Sequence, residues 1–160
     1  MTDRQGALSV LVSLDGPERE QALQDFYDRF EKDPLVIDKW FALQASSQRS
    51  DTLDQVELLA QNPAFTIQNP NRLRALAGNF GMNHWVFNHA SGRGYRFLAD
   101  LIIASDKINP QAAARQVPPL GRWRRFEPRR SELMREQLER IADTRGLSRD
   151  VYEQATRSLA

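Results

Sequence analysis

Proline residues that follow a helix-capping residue punctuate this sequence and constrain its fold more than any other feature. Asn and Asp side chains cap helix N-termini, and Pro is favoured at the first helical position because its missing N–H needs no partner there. A Gly, Asp or Asn residue directly precedes Pro at five places: Gly16-Pro17, Asp33-Pro34, Asn62-Pro63, Asn69-Pro70 and Asn109-Pro110. Each of these dipeptides predicts the start of a helix.

The apolar residues that follow these starts recur with the period of an α-helix. After the fourth proline of the series they fall at i, i+3, i+4 and i+7: Leu73, Leu76, Ala77 and Phe80. The same pattern recurs over 95–103 and 134–142. The segment 65–68 is the only short extended candidate, and its flanking prolines make it a connector. The sequence therefore predicts an all-α fold with roughly nine or ten helices of about 8–18 residues.

The arrangement of these helices follows from their short connections, which predict that successive helices are antiparallel neighbours. Helical hairpins stacked side by side form an α-solenoid of the HEAT or ARM type. No low-complexity segment or linker divides the 160 residues, a length typical of one domain. We therefore predict a single helical domain over residues 1–160, an α-solenoid fragment, although no strict sequence repeat is visible.

The longest irregular stretch, 83–94, is predicted to hold one short helix and a loop in which Gly92 and Gly94 allow positive φ. It also contains both histidines of the chain, His84 and His89. Their spacing of five puts the rings on different faces of a helix, and no acidic residue lies between them. We expect them at a solvent edge or in a capping role, and we predict no metal site in this chain.

Other catalytic patterns are missing from the sequence. The chain has no Cys, no G-x-S-x-G turn around a serine and no phosphate-binding glycine loop. The 22 basic residues nearly cancel the 21 acidic ones, which argues against a general polyanion binder. We therefore predict no catalytic residue in this chain.

Arginines are concentrated between Arg115 and Arg130, with Trp123 and Phe126 among them. Arginine beside aromatic rings can bind phosphates or single-stranded bases, so a nucleic-acid interface is one alternative. The acidic first third of the chain argues against it, and we expect these arginines to cover neighbouring helices and to pair with acids. A small anionic ligand is a third alternative.

A second pair of arginines, Arg72 and Arg74, flanks the apolar stripe of its helix. Side chains there lie at the boundary between core and solvent. Each can point into a groove or form a structural ion pair.

No stretch of the sequence is apolar and long enough to cross a membrane. The N-terminal residues lack the basic region and small-residue cleavage site of a signal peptide. We therefore predict a cytoplasmic protein without a membrane partner.

Several segments of the sequence resemble the C-terminal helical domain of bacterial aminopeptidase N, of the M1 zinc metallopeptidase family. They are DKWFALQA (38–45), FTIQNPNRLRALAGNF (65–80), GYRFLAD (94–100), INPQAAARQVPPL (108–120) and YEQATRSLA (152–160). The resemblance extends over essentially the whole chain. It implies that Met1 is an internal residue of a longer enzyme and that the chain is its C-terminal part.

The resemblance implies a non-catalytic role for this chain. The family removes N-terminal amino acids from peptides with a zinc ion held by an H-E-x-x-H helix, which this sequence lacks. Zinc, if present, then belongs to an upstream catalytic domain of the same polypeptide, and no cofactor belongs to this chain. The helical domain is expected to cover the catalytic chamber and to control peptide access. By their place in the matching motifs, Arg74 and Arg115 are the expected substrate-binding residues, with a structural ion pair as the alternative for each.

Two functions outside this family remain as alternatives. A self-standing helical scaffold that binds protein partners is the first, and a nucleic-acid binder is the second. The first predicted helix carries apolar residues on nearly every side: Leu8, Val10, Leu11, Val12 and Leu14. This excess indicates burial against a missing segment or a contact between copies of the chain.

Overall fold

The computed structural model describes residues 2–160, with side chains from residue 3 onward, and Met1 lies outside the described residues. The helices are α1 (Thr2–Leu11), α2 (Pro17–Phe30), α3 (Pro34–Ala45), α4 (Thr52–Leu59), α5 (Pro70–Leu73), a π turn (Arg74–Gly78), α6 (Asn79–Met82), α7 (His84–Phe87), α8 (Arg93–Asp106), α9 (Pro110–Ala114), a 3₁₀ helix (Leu120–Arg125), α10 (Pro128–Ala142) and α11 (Arg149–Leu159). No β-strand occurs within residues 2–160. The predicted all-α fold is confirmed.

Four of the five predicted helix starts are confirmed. The helices that begin at these prolines are α2 at Pro17, α3 at Pro34, α5 at Pro70 and α9 at Pro110. The Asp33 side chain accepts a hydrogen bond from the backbone N–H of Val36, as an N-cap does. The helix start at Pro128 was not predicted from the sequence. There the Glu127 carboxylate accepts a hydrogen bond from the backbone N–H of Arg130.

The prediction of a helix at Asn62-Pro63 is wrong. The Asn62 side-chain oxygen accepts from the backbone N–H of Ala64 at 2.8 Å. This bond closes a local Asx turn, which satisfies the side chain without a following helix. The segment 65–68 continues from this turn as the predicted connector.

Neighbouring helices pack on each other along the chain. α1 packs on α2, α2 on α3 and α3 on α4, and at the other end α10 packs on α11. α8 joins the two halves because it contacts both α4 and α10. Since each hairpin buries its apolar face against the next, the predicted α-solenoid is confirmed.

The predicted apolar stripe of residues 70–82 is buried. Leu73, Leu76, Ala77 and Phe80 are all fully inaccessible. Sequence periodicity did not predict the π turn, which sits in the middle of this helical segment and adds one residue to a single turn. The Asn79 side chain donates to the carbonyl of Ala75 at 3.0 Å and so supports the wider turn.

The stretch 83–94 holds the single short helix that was predicted, α7. Gly92 has φ +69° as expected, but Gly94 has no positive φ and lies inside α8. A Cβ at Gly94 would stand 2.7 Å from the Phe87 carbonyl oxygen and 3.2 Å from the Phe80 ring. Gly94 is therefore required for close helix packing and not for a turn.

The replacement Gly94→Ala is expected to lower the free energy of unfolding by about 1–3 kcal/mol, because backbone atoms of α7 must move to admit the new methyl group. Gly6→Ala in α1 is the matched control, since nothing lies within 4 Å of its Cβ position. In that helix Ala is expected to stabilise the chain by about 0.5–1 kcal/mol relative to Gly. Urea unfolding of both variants measures the difference, and equal effects would contradict the packing role of Gly94.

The first helix is less uniformly buried than its sequence suggested. Leu8 of α1 and Val12, just after its end, are in the core, whereas Val10 of α1 is 63% exposed and Leu14, in the following turn, is 50% exposed. Beside it, an open groove of about 650 Å³ between α1 and α2 is lined partly by Leu11. Part of the apolar excess is thus absorbed by the core of the chain itself, and part faces outward.

None of the helices within residues 2–160 is long and apolar enough to span a lipid bilayer.

Candidate functional site

Arg74 and Arg115 lie in the same cleft, although 41 positions separate them in the sequence. The cleft has a volume of about 590 Å³ and is bounded by the start of α5, the π turn, the end of α9 and the 3₁₀ helix. Both arginine side chains line it, and both residues are exposed. The structure therefore brings together the two residues that the sequence motifs indicated.

Two similar helix starts hold these arginines in place. The Asn69 side chain accepts from the backbone N–H groups of Asn71 and Arg72, which fixes α5 and the π turn that follows it. The Asn109 side chain accepts from the N–H of Ala112 and fixes α9 in the same way. Each capped Asn-Pro start therefore sets the helix that ends in a cleft arginine.

The floor of the cleft depends on Gly78, the last residue of the π turn. A Cβ there would stand 3.2 Å from the Arg74 Cγ and 3.3 Å from the Gln116 side-chain oxygen. Gly78 thus allows the Arg74 stem and Gln116 to approach each other closely. π turns are frequent at functional sites because they displace side chains from the regular helical positions.

Arg122, on the 3₁₀ helix, is a third arginine of this cleft that sequence reasoning did not single out. Its guanidinium contacts the His84 Nε2 at 3.2 Å and the Met82 sulfur at 3.6 Å. The available signal was its place in the arginine-rich segment, but no motif marked it among its neighbours.

The cleft is positively charged and has no internal counter-charge. Among the described residues that line it, none is Asp or Glu. In the same part of the chain, neither Arg74 nor Arg115 nor Arg122 forms a salt bridge with an acidic side chain. Three guanidinium groups without an anion are suited to bind a carboxylate or another small anion, because a charged acceptor strengthens each N–H···O bond.

Arg72 shows the opposite outcome for a residue only two positions from Arg74. Its side chain is buried and pairs with Asp38 of α3. It also donates to the backbone carbonyl oxygens of Ala64 and Pro34 and lies 5.0 Å from the centre of the Phe41 ring. Arg72 is thus a structural residue, whereas Arg74 faces the cleft.

The expectation that the arginines of 115–130 pair with acids is right only in part. Arg130 pairs with Glu127 and also donates to the carbonyl of Asn88 at 2.6 Å. Arg124 stacks on Trp123 and donates to the Leu159 carbonyl at 2.8 Å, so it caps α11 instead of meeting an acid. The expectation that nucleic acid is not a partner stays a prediction.

The side chains of residues 3–160 do not form a ligand set of the kind that metal ions require. No group of three or more His, Cys, Asp or Glu side chains in that part of the chain could hold a metal ion. His84 is engaged by Arg122, and His89 forms a 2.9 Å hydrogen bond with Ser91. The chemistry that this cleft supports is therefore anion binding.

Comparison with known proteins extends over the entire chain. A family model described as a domain of unknown function (DUF3458_C) with ARM repeats matches residues 1–160. Aminopeptidase N of Caulobacter vibrioides is 48% identical over 99% of this chain, and aminopeptidase N of Escherichia coli is 41% identical over 100% of it. Each match covers 18% of the relative, so this chain spans about a fifth of their length.

A solved structure agrees with this relationship. The crystal structure of Legionella pneumophila aminopeptidase A in complex with aspartic acid superposes with a TM-score of 0.93 at 33% identity. The match covers 99% of this chain and 19% of the Legionella protein. The helical fold described above is thus shared with part of a longer aminopeptidase.

Proposed function

The chain belongs to the family of ARM-repeat helical domains (DUF3458_C) that forms the C-terminal domain of bacterial aminopeptidase N, and on this premise we propose that it lines the peptide-binding chamber of a zinc-dependent aminopeptidase. In this role the domain supplies walls and charge and contributes no catalytic residue. It restricts access to extended peptides because a folded protein cannot enter an enclosed chamber.

The arginine cleft is the observation that carries this proposal. Arg74, Arg115 and Arg122 lie in one open cleft that is free of acidic side chains among the described residues. A peptide presents a terminal carboxylate, which guanidinium groups bind strongly, and carbonyl oxygens, which accept weaker hydrogen bonds from them. Arg74 and Arg115 are therefore the substrate-binding residues of the proposed chamber wall.

Zinc belongs to another part of the proposed enzyme. The side chains of residues 3–160 do not fit a zinc ion, since none of their arrangements provides three ligands. The isolated 160-residue chain is accordingly expected to show no chelator-sensitive hydrolysis of an alanine chromogenic amide. A cytoplasmic location stays a prediction.

The remainder of the same polypeptide is the proposed partner of this domain. The relatives are about five times longer than this chain, so a large neighbour is available to cover it. The groove between α1 and α2, with Leu11 in its lining and the exposed Val10 on the same helix, is the surface that we assign to this contact. In a solenoid each hairpin buries its apolar face against a neighbour, so exposed apolar residues beside an open groove are suited to such a contact.

The test of the chamber role compares two substrates in the complete polypeptide that carries this domain. The double replacement Arg74→Gln and Arg115→Gln is expected to lower kcat/KM for peptides of four or five residues about a hundredfold or more, since each of the two lost charged hydrogen bonds costs about 1.5–3 kcal/mol. The hydrolysis of an alanine chromogenic amide is expected to stay unchanged, because that substrate is too short to reach the cleft.

Arg125→Gln is the matched control for this experiment. Arg125 is exposed and lies on the 3₁₀ helix that borders the cleft, but its side chain does not line the cleft. It is expected to leave both rates unchanged. A loss of equal size for the amide and the longer peptides, or no loss for either, would refute the proposed role of the two arginines.

A further inference from the structure

A second cleft continues from the arginine cleft across Met82. It has a volume of about 400 Å³, and its lining includes His84 and Trp85 of α7. Asn79 and Met82 line both clefts. The two clefts therefore form one groove, with the three arginines at one end and His84 and Trp85 at the other.

The second end combines two exposed apolar side chains, Met82 and Trp85, with polar ones: Ser46, Gln48, Asn79, Asn83 and His84. Trp85 is 75% exposed and Met82 is 55% exposed, and Trp85 has the largest exposed fraction among the exposed large hydrophobic residues of the described chain. At this exposure most of the apolar surface of the Trp85 ring is in contact with water. Exposed apolar side chains that lie next to each other are typical of a binding site. The proximity of Met82 extends that surface toward the arginines.

Arg122 stands at the junction of the two ends. It contacts His84 Nε2 at 3.2 Å and Met82 Sδ at 3.6 Å, and both of these residues line the second cleft. The Arg122 guanidinium therefore lies next to the apolar side chain of Met82, which lines the second cleft together with Trp85. The last residue of a peptide carries a carboxylate and a side chain on the same Cα, so its two groups match this juxtaposition.

We infer that this groove binds the C-terminal residue of a peptide, with its carboxylate on Arg122 and a large apolar or aromatic side chain on Met82 and Trp85. The inference rests on the proposed function and adds a preference to it. Arg74 and Arg115 reinforce the positive potential of the carboxylate end. Trp85 and Arg122 become specificity-determining residues for the far end of the substrate.

The test measures binding of short peptides to the 160-residue chain by two-dimensional NMR. The indole N–H of Trp85 is a usable reporter because those of Trp40 and Trp123 are bonded to the carbonyls of Leu23 and Ser158. The peptide Gly-Gly-Phe is expected to shift the Trp85 signal and to bind about tenfold tighter than its C-terminal amide or Gly-Gly-Ala. A dispersed spectrum verifies the fold before the titration.

Three variants refine the test. Arg122→Gln and Trp85→Ala are each expected to weaken Gly-Gly-Phe binding about tenfold, and Arg125→Gln is expected to leave it unchanged. Because Trp85→Ala removes the indole reporter, its titration is followed by the backbone amide of Met82. Equal affinity for the free acid and the amide would overturn the inference. Tighter binding of adenosine monophosphate than of the peptide would also overturn it, because the groove would then be a nucleotide site.

A kinetic measurement covers the case in which the isolated chain does not fold. In the complete polypeptide, Arg122→Gln is expected to reduce about tenfold the preference for Ala-Ala-Phe over its amide, and an unchanged preference would overturn the inference. The two proposals fail separately. If Arg122→Gln leaves the preference for the free acid unchanged while the effect of Arg74→Gln and Arg115→Gln is retained, only the present inference is refuted, whereas groove binding without any effect on hydrolysis would refute only the chamber role.

Discussion

Replacing Arg72 by Met is expected to lower the free energy of unfolding by about 3–5 kcal/mol, the usual cost of removing one partner of a buried ion pair. The guanidinium has only 7% of its side chain exposed and pairs with Asp38, whose side chain is 15% exposed. It also serves the carbonyl of Ala64. Its loss leaves a poorly solvated carboxylate and an unpaired carbonyl, which together explain a penalty of this size.

Thermal and urea unfolding of the variant measure this penalty, with an expected fall in Tm of roughly 10 °C for a chain of this size. Arg74→Met is the matched control, because this exposed arginine is two residues away and lacks an acidic partner within the described chain. It is expected to change stability by about 0.5 kcal/mol or less. The double variant Arg72→Met with Asp38→Leu is expected to recover part of the loss, since no unpaired charge then remains. A loss of similar size for Arg72→Met and Arg74→Met would contradict this account.

Replacing Asp106 by Ala is expected to lower the free energy of unfolding by about 3 kcal/mol, because two hydrogen bonds to a charged acceptor are lost. Asp106 is the last residue of α8 and is 4% exposed. Its carboxylate accepts from the backbone N–H of Ser148 at 2.9 Å and from the Ser148 hydroxyl. These bonds tie the end of α8 to the N-cap of α11, so the variant leaves both Ser148 donors without their acceptor.

Urea unfolding measures the overall loss, and hydrogen exchange locates it. The amides of α11 are expected to lose protection first, because their N-cap is no longer anchored to α8. Asp100→Ala in the same helix is the control, since the side chain of Asp100 is 58% exposed and forms only a surface ion pair with Arg140. Its expected cost is about 1 kcal/mol or less. Exchange that accelerates equally in all helices would show that Asp106 has no local anchoring role.

Much of the architecture could be predicted because it depends on local chemistry. Capping by Asp33, Asn69 and Asn109 acts within a few residues, and apolar periodicity acts within single helices. Both are visible in the sequence without knowledge of distant contacts. The error at Asn62 has the same local origin, since one Asn side chain can cap a helix or close an Asx turn, and the sequence does not distinguish the two outcomes.

The candidate site was predictable only in part, because its formation depends on packing between distant elements. Arg72 and Arg74 both flank the apolar stripe in the sequence, and contacts with distant residues, among them Asp38 on α3 and Phe41, decide that Arg72 is buried. Arg122 joins the cleft because the 3₁₀ helix carries it toward α6 and α7, a placement that periodicity does not encode. Gly94 was assigned to a turn because its close approach to Phe87 is a tertiary contact.

The π turn sets how the helical turn before it is rotated relative to α6, and the positions of both Arg72 and Arg74 depend on that rotation. The π turn already holds one residue more than a regular helical turn, so inserting a further residue within 74–78 would rotate the preceding turn by about 100° about the helix axis relative to α6. That rotation would swing Arg72 away from Asp38 and carry Arg74 out of the cleft at the same time. Substitutions can therefore tune the charge of this wall one position at a time, whereas a single-residue insertion there would damage the folding of the domain together with its ligand surface.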